Sequence, residues 1–170
     1  MNADTPSDGP ATQRISAGRT LLCVLDDTRE LSVALQFAAR RAQRTGAHVG
    51  LLYVIESATE FQHWSSVGEL MRAEANAKAE QVLMRAASQV LQWKDELPIF
   101  YIREGNRRDE VIQQVQDDPS ISFLVLGAAT GRDGPGPLVT ALTGRSVGQL
   151  HVPIVIIPGN MSEDEIASFA

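Results

Sequence analysis

The chain has a single cysteine, Cys23, among its 170 residues. That count excludes an internal disulfide framework and a cysteine-based zinc site. Set in the run Leu21-Leu22-Cys23-Val24-Leu25, it reads as a small buried side chain. Aromatic residues make up 5%, and Trp64 and Trp93 read as packing anchors rather than platforms for stacked bases. No window approaches the roughly 18 apolar residues of a membrane span, and no charged-then-apolar leader pattern opens the chain. Basic residues are the minority, 15 against 21 acidic, for a net charge of −6. Without a basic stripe to neutralise phosphates, non-specific binding to nucleic acid or an anionic membrane is not expected. Any bound nucleotide would need local cations or a metal to offset its charge. Neither a P-loop nor a G-x-G-x-x-G after the first apolar run is present. The three histidines, His48, His63 and His151, are scattered and read as structural or solvated. The acidic residues lack metal-ligand spacing, so no catalytic constellation emerges.

What the sequence does contain is an alternation of short apolar runs and longer helical stretches. After the first run, Leu31, Ala34, Leu35, Ala38 and Ala42 recur at three-four spacing, the signature of one buried helical face. Asp27 with Glu30 reads as a capping pair before that helix, and Gly46 as its stop. Val49 to Ile55 predicts a second strand, and 57–66 a loop. Val67, Leu70, Met71, Ala75, Ala79, Val82, Leu83, Ala86 and Val90 then predict a long half-buried helix. Pro98 ends it. Ile99 to Ile102 predicts a third strand, and Arg107 to Gln116 a short helix capped by Asn106. Ile121 to Leu126 predicts a fourth strand. A glycine-rich loop, a helix from about Leu138 and a fifth strand, Ile154 to Ile157, complete the series.

Five short runs of continuous rather than alternating apolar character imply a parallel sheet buried on both faces, an open doubly wound α/β domain. The length suits one domain. The expected organisation is a disordered, Ser/Thr/Pro/Gly-rich tail over 1–18, the domain over 19–159 and an acidic tail over 160–170, in a cytoplasmic protein.

In such a sheet, ligands collect at the carboxyl ends of strands where the strand order reverses. Asp26-Asp27-Thr28 follows the first strand. The fourth is followed by GAATGRDGPGPLVTALTGR, with glycines at 127, 131, 134, 136 and 144. Glycine lets backbone N–H groups approach a phosphate, a helix start adds a favourable dipole, and Arg132 and Arg145 supply charge. The same residues also suit plain structural duty. Gly134-Pro135-Gly136-Pro137 is good turn chemistry, and a strand-end aspartate often caps a helix.

The order of these segments resembles the universal stress protein family over roughly residues 19 to 158. Leu25-Asp26-Asp27-Thr28 is similar to that family's V-D-G-S, and Leu51 to Glu56 to its L-L-H-V-x-x. Gly105 matches the glycine after its third strand, Leu124 to Gly127 its fourth strand, and Val152 to Pro158 its closing P-V-L-V-V. The resemblance implies a sheet ordered 3-2-1-4-5, with the switch point between strands 1 and 4. It also implies a homodimer through strand 5, residues Ile154, Val155, Ile156 and Ile157. ATP binders in the family carry G-x2-G-x9-G-[S/T], which this chain does not reproduce. Without gaps, Gly127 fits, Thr130 replaces the second glycine and Thr140-Ala141 replaces Gly-Ser. A shifted frame supplies Gly131 and Gly144, followed by Arg145 and Ser146. On the adenine side, Asp26 matches the acidic residue near base or ribose, and Val54 the apolar wall.

The resemblance therefore implies a dimeric regulator binding ATP, with Mg²⁺, or another adenine nucleotide, and turning it over very slowly at most. The irregular glycine motif keeps open a second reading, a nucleotide-free dimeric module that recruits a protein partner. A nucleotidyl-transferring enzyme would need a His or Lys signature near the first loop, where only Arg29 stands.

Overall fold

The computed structural model describes residues 18–26, 28–56 and 65–170, with side chains in the last range from residue 68 onward. In order, the elements are β1 (Thr20–Val24), α1 (Leu31–Thr45), β2 (His48–Ile55), α2 (Ser65–Val90), β3 (Ile99–Glu104), α3 (Arg107–Asp117), β4 (Ile121–Ala128), α4 (Pro137–Thr143), β5 (Ile154–Pro158) and α5 (Glu163–Phe169). All strand pairs are parallel, in the order β3-β2-β1-β4-β5. The expected sheet and its order are thus present.

Successive side chains of a strand point to opposite faces, and here each face has its own core. Leu21, Cys23, Leu25, Val49, Leu51, Val125 and Ile157 pack with α1, α2 and α5. Leu22, Val24, Leu52, Val54, Leu124 and Leu126 pack with α3 and α4. This double burial is why the strands read as unbroken apolar runs. Burial pushes the Cys23 thiol up to about 12, so it stays protonated and inert. Trp93 is half-buried against the first core, whereas Trp64 and His63 lie outside the described residues.

Three local expectations need correction. First, α1 starts at Leu31 with Glu30 itself as the N-cap residue and no side-chain cap bond. Glu30 therefore cannot serve as the reciprocal third residue of a capping box, and Asp27 lies outside the described residues. Gly46 does end the helix, in the left-handed conformation at φ 69° that glycine adopts without strain.

Second, α2 begins at Ser65, and its burial is uneven. Ala79, Leu83, Ala86, Ala87 and Val90 are buried, but Leu70 is 63% exposed and Met71 40%. Twenty-six helical residues span about 39 Å, while the eight residues of β2 beneath them span about 26 Å. The helix overhangs the carboxyl end of the sheet, and there Leu70 and Met71 are left uncovered by the other described residues.

Third, residues 160–170 hold a helix rather than an unstructured acidic tail. Ser162 and Glu165 form a capping box, and Glu163, Asp164 and Glu165 sit in the first turn, where the helix dipole favours negative charge. Ile166 is 1% exposed in the α1–α2 core, and Arg44 donates from Nη1 to the Ala170 carbonyl. The acidic composition hid one apolar anchor. The expected tail over 1–18 lies, apart from Gly18, outside the described residues.

Candidate functional site

The strand order reverses at β1, whose neighbours are β2 on one side and β4 on the other. The ladders run on past the strands. Leu25 N–H donates to Leu52 O at 2.8 Å, Gly105 N–H to Ile55 O at 3.0 Å and Gly159 N–H to Ala128 O at 2.8 Å. Continuing the β1–β4 register, in which Cys23 stands opposite Val125, Asp26 stands level with the end of β4. Asp26 and the loop after β4 thus meet on one rim.

Asp26 is half-buried, and its Oδ1 accepts from Thr28 Oγ1 at 2.6 Å and Thr28 N–H at 3.3 Å. This Asx-type turn fixes the carboxylate at the strand end. Further along the rim, Arg107 Nη2 meets Glu56 Oε2 at 2.9 Å, tying the ends of β2 and β3 together. Val54, expected as an apolar wall, is 2% exposed and packed in the α3–α4 core. It closes the rim from below and presents no surface beside Asp26.

The phosphate-loop residues separate in the structure. A Cβ on Gly127 would lie 2.3 Å from the Glu30 carbonyl oxygen and 2.6 Å from its carbon. The glycine is required by the start of α1, whose backbone lies where a Cβ would stand. Gly144, Arg145 and Ser146 follow the last turn of α4, where carbonyls rather than N–H groups are left over. α4 is seven residues, about 10 Å, long, so they stand about that far from the helix start. Arg145 is exposed and Ser146 only 5% exposed. Gly144 and Ser146 therefore do not share a cradle with Gly127 in the way the shifted motif requires.

What remains at the rim is the stretch from Thr130 to Gly136. Thr130, Gly131, Arg132 and Asp133 are exposed, and nothing lies within 4 Å of a Cβ built on Gly131. Ala129 N–H donates to Pro135 O at 3.2 Å and closes the loop on itself. Gly134 and Gly136 have φ of 87° and 104°, a turn only glycine makes comfortably. Pro137 occupies the first helical turn, as its fixed φ favours.

Sequence reasoning missed Glu30. Its backbone lies against Gly127, and a Cβ on Gly159 would meet Glu30 Cγ at 2.4 Å. The side chain therefore runs across the end of β4 toward the turn after β5. Two glycines at the ends of two adjacent strands were the only sequence signal for this crossing, and one of them lay outside the motif considered.

Elsewhere the polar residues serve each other. Arg103 Nε bonds Glu110 Oε2 at 2.6 Å, and its Nη1 bonds Asp117 Oδ2 at 2.9 Å and Gln114 Oε1 at 3.3 Å. This cluster borders a shallow recess of about 600 Å³ along Phe100 to Glu104, on the outer edge of the sheet and two strands from β1. His48 Nδ1 bonds Glu96, which also pairs with Lys94 Nζ at 2.6 Å. Among the described residues no group of three or more His, Cys, Asp or Glu is placed to hold a metal, and no helix is long and apolar enough to cross a membrane.

The model of the universal stress protein family matches residues 18–158. The chain belongs to the universal stress protein family. Its fold is shared with solved members. Universal stress protein UspA from Lactobacillus plantarum is 23% identical, covering 82% of this chain and 97% of its own, with a TM-score of 0.67. The Archaeoglobus fulgidus universal stress protein in complex with dAMP is 14% identical, covering 82% and 97%, with a TM-score of 0.55. A family member from Arabidopsis thaliana with AMP bound is 16% identical, covering 82% and 91%, also at 0.55. No curated protein matches the chain. At these identities the likeness to solved structures speaks for the fold alone.

Proposed function

We propose that this universal stress protein is a cytoplasmic, dimeric regulatory domain that binds an adenine nucleotide at the carboxyl rim between β1 and β4. The observation that carries the reading is Asp26, held by Thr28 at the point of strand reversal and level with the exposed loop 130–136. A carboxylate there accepts hydrogen bonds from ribose hydroxyls or the base amine, and the loop offers backbone N–H groups and Arg132 to a phosphate. The AMP and dAMP carried by its relatives support the ligand class. ATP with Mg²⁺ belongs to the same ligand class. Among the described residues no histidine stands at this rim, and we read the domain as one that acts by binding rather than turnover.

Calorimetric titration of the full chain with AMP tests the site. Asp26→Ala should weaken affinity at least tenfold, about 1.4 kcal/mol, with the melting temperature retained. Unchanged affinity would remove Asp26 from the site.

For the dimer, β5 is an outer strand with Ile156 40% exposed. An unblocked apolar edge of this kind invites pairing with a second copy about a two-fold axis. Ile156→Lys should convert a dimer to a monomer in sedimentation; a variant that stays dimeric would place the contact elsewhere.

The second reading, a nucleotide-free module recruiting a protein partner, draws support from Gly127, which packs against the Glu30 backbone. Complete absence of a calorimetric signal with millimolar AMP and ATP would favour it.

A further inference from the structure

Resting on the nucleotide reading above, we infer that the rim selects a nucleotide with one phosphate over one with three. Three observations converge. Room comes first. The Glu30 carbonyl lies where a Cβ on Gly127 would stand, so α1 packs directly on this glycine, and Gly144 to Ser146 lie beyond the far end of α4. A cradle running from Gly127 through Gly131 to Gly144 would have followed a chain of phosphates; here only its middle part is open.

Donors come second. Ala129 N–H is spent on Pro135 O, Thr140 N–H on Gly136 O and Gly144 N–H on Thr140 O, the last two at 3.0 and 3.2 Å. The hydroxyl of Thr140 also turns inward, donating to Gly136 O at 2.9 Å, and that of Thr143 donates to Val139 O at 2.7 Å. These hydroxyls and amides are engaged within the loop and the helix and are not offered to a β- or γ-phosphate.

Charge comes third. The Glu30 side chain crosses the end of β4 against Gly127 and Gly159, and its carboxylate forms no hydrogen bond or ion pair among the described residues. Nearby, Asp26 adds a second carboxylate, and the cation at the β2–β3 end of the rim, Arg107, is held by Glu56. Arg132 is the exposed cation of the open loop. It can offset one phosphate, whereas each further phosphate adds negative charge near the Glu30 and Asp26 carboxylates, and like charges repel.

The test is competitive calorimetry on the full chain with AMP, ADP and ATP in the presence of Mg²⁺, for the wild type and Glu30→Gln. The glutamine keeps the stem that packs on Gly159 and removes only the charge; an unchanged melting temperature verifies this. The wild type should bind AMP at least tenfold more tightly than ATP, with ADP between them. Glu30→Gln should narrow the gap by tightening ATP while leaving AMP alone. ATP equal to or tighter than AMP on the wild type would overturn the inference and leave adenine-nucleotide binding intact. A preference for AMP that is unchanged in Glu30→Gln would overturn the part given to Glu30. Failure of all three nucleotides to bind would bring down the proposed function, and this inference with it.

Discussion

At the amino end of the sheet, polar side chains are consumed by one another. Thr20 Oγ1 shares a hydrogen bond with Ser120 Oγ at 3.1 Å, Ser122 Oγ donates to the Thr20 carbonyl, and Tyr101 donates to Asp118 Oδ2 at 2.7 Å. Asp118 Oδ1 in turn accepts from Ser120 N–H at 2.9 Å, while Glu96 joins His48 to Lys94. At the carboxyl end, Thr130 to Asp133 stand in solvent, glycines bend the chain, and Glu30 crosses without a partner among the described residues. Both ends belong to the same strands and rest on the same two cores. The difference lies in what the loops do with their polar groups: one end satisfies them internally, and the other leaves them for something to be bound. On the proposed function, the closed end contributes rigidity and the open end recognition.

The comparison is most sharply tested where the open end is nevertheless tightly built. Gly127→Ala places a methyl group against the Glu30 backbone, which cannot rotate aside as a side chain would. A loss of about 2–3 kcal/mol is expected from such overpacking, readable by urea denaturation; a neutral effect would show that the start of α1 yields easily.

Tyr101→Phe, at the closed end, should cost about 1–2 kcal/mol, because the Asp118 carboxylate loses a donor in a part-buried site. The pH profile gives the same pair a signature. Burial raises Tyr101, and its bond to Asp118 raises it further. For Asp118, burial pulls upward, but the bonds from Ser120 and Tyr101 outweigh it and the carboxyl is lowered overall. A raised phenol contributes stability that is whole below the unfolded value of about 10 and lost as pH climbs through its folded value. A lowered carboxyl contributes stability present above about 4 and lost as pH falls through its folded value. Wild-type stability should therefore decline on both sides of that window, and Tyr101→Phe should flatten the alkaline limb. An unaltered alkaline limb would assign it to other groups.

The smallest effect belongs to the open loop. Gly131→Ala enters empty space, and stability should change by no more than about 0.5 kcal/mol. A larger loss would mean that the loop is packed more like the closed end.

Much of this architecture was legible in the sequence because burial on both faces leaves a compositional mark. Leu21 to Leu25 and Leu51 to Ile55 could hardly be anything but inner strands. The cap at Asn106 and the stop at Gly46 were readable for the same reason, since each follows from one residue's own chemistry. The α5 anchor was not, because a single Ile166 among acidic residues gives no period. Nor was the fate of the glycine motif. Spacing along a chain shows which residues could gather, but whether Gly127 meets a phosphate or the backbone of Glu30 depends on how α1 lands. That contact joins residues nearly a hundred positions apart. Asp26 was singled out by the strand-end rule and by the resemblance, and it does stand at the end of β1 level with the end of β4, whereas Val54 was assigned to a wall and is core.

The central position of β1 has a consequence for how the protein is made. Thr20 must wait for Ser120 and the strand beyond it, a separation of 100 residues. At typical translation speeds of about 5–20 residues per second, β4 leaves the ribosome roughly 5–20 s after β1. During that interval β1 can pair with β2, and β2 with β3, but the other side of β1 remains an open apolar edge. The strand that ends at the centre of the sheet begins life at its margin. The most vulnerable form of this domain is therefore its own half-synthesised first half, and chaperone dependence would fall on the stage before β4 arrives.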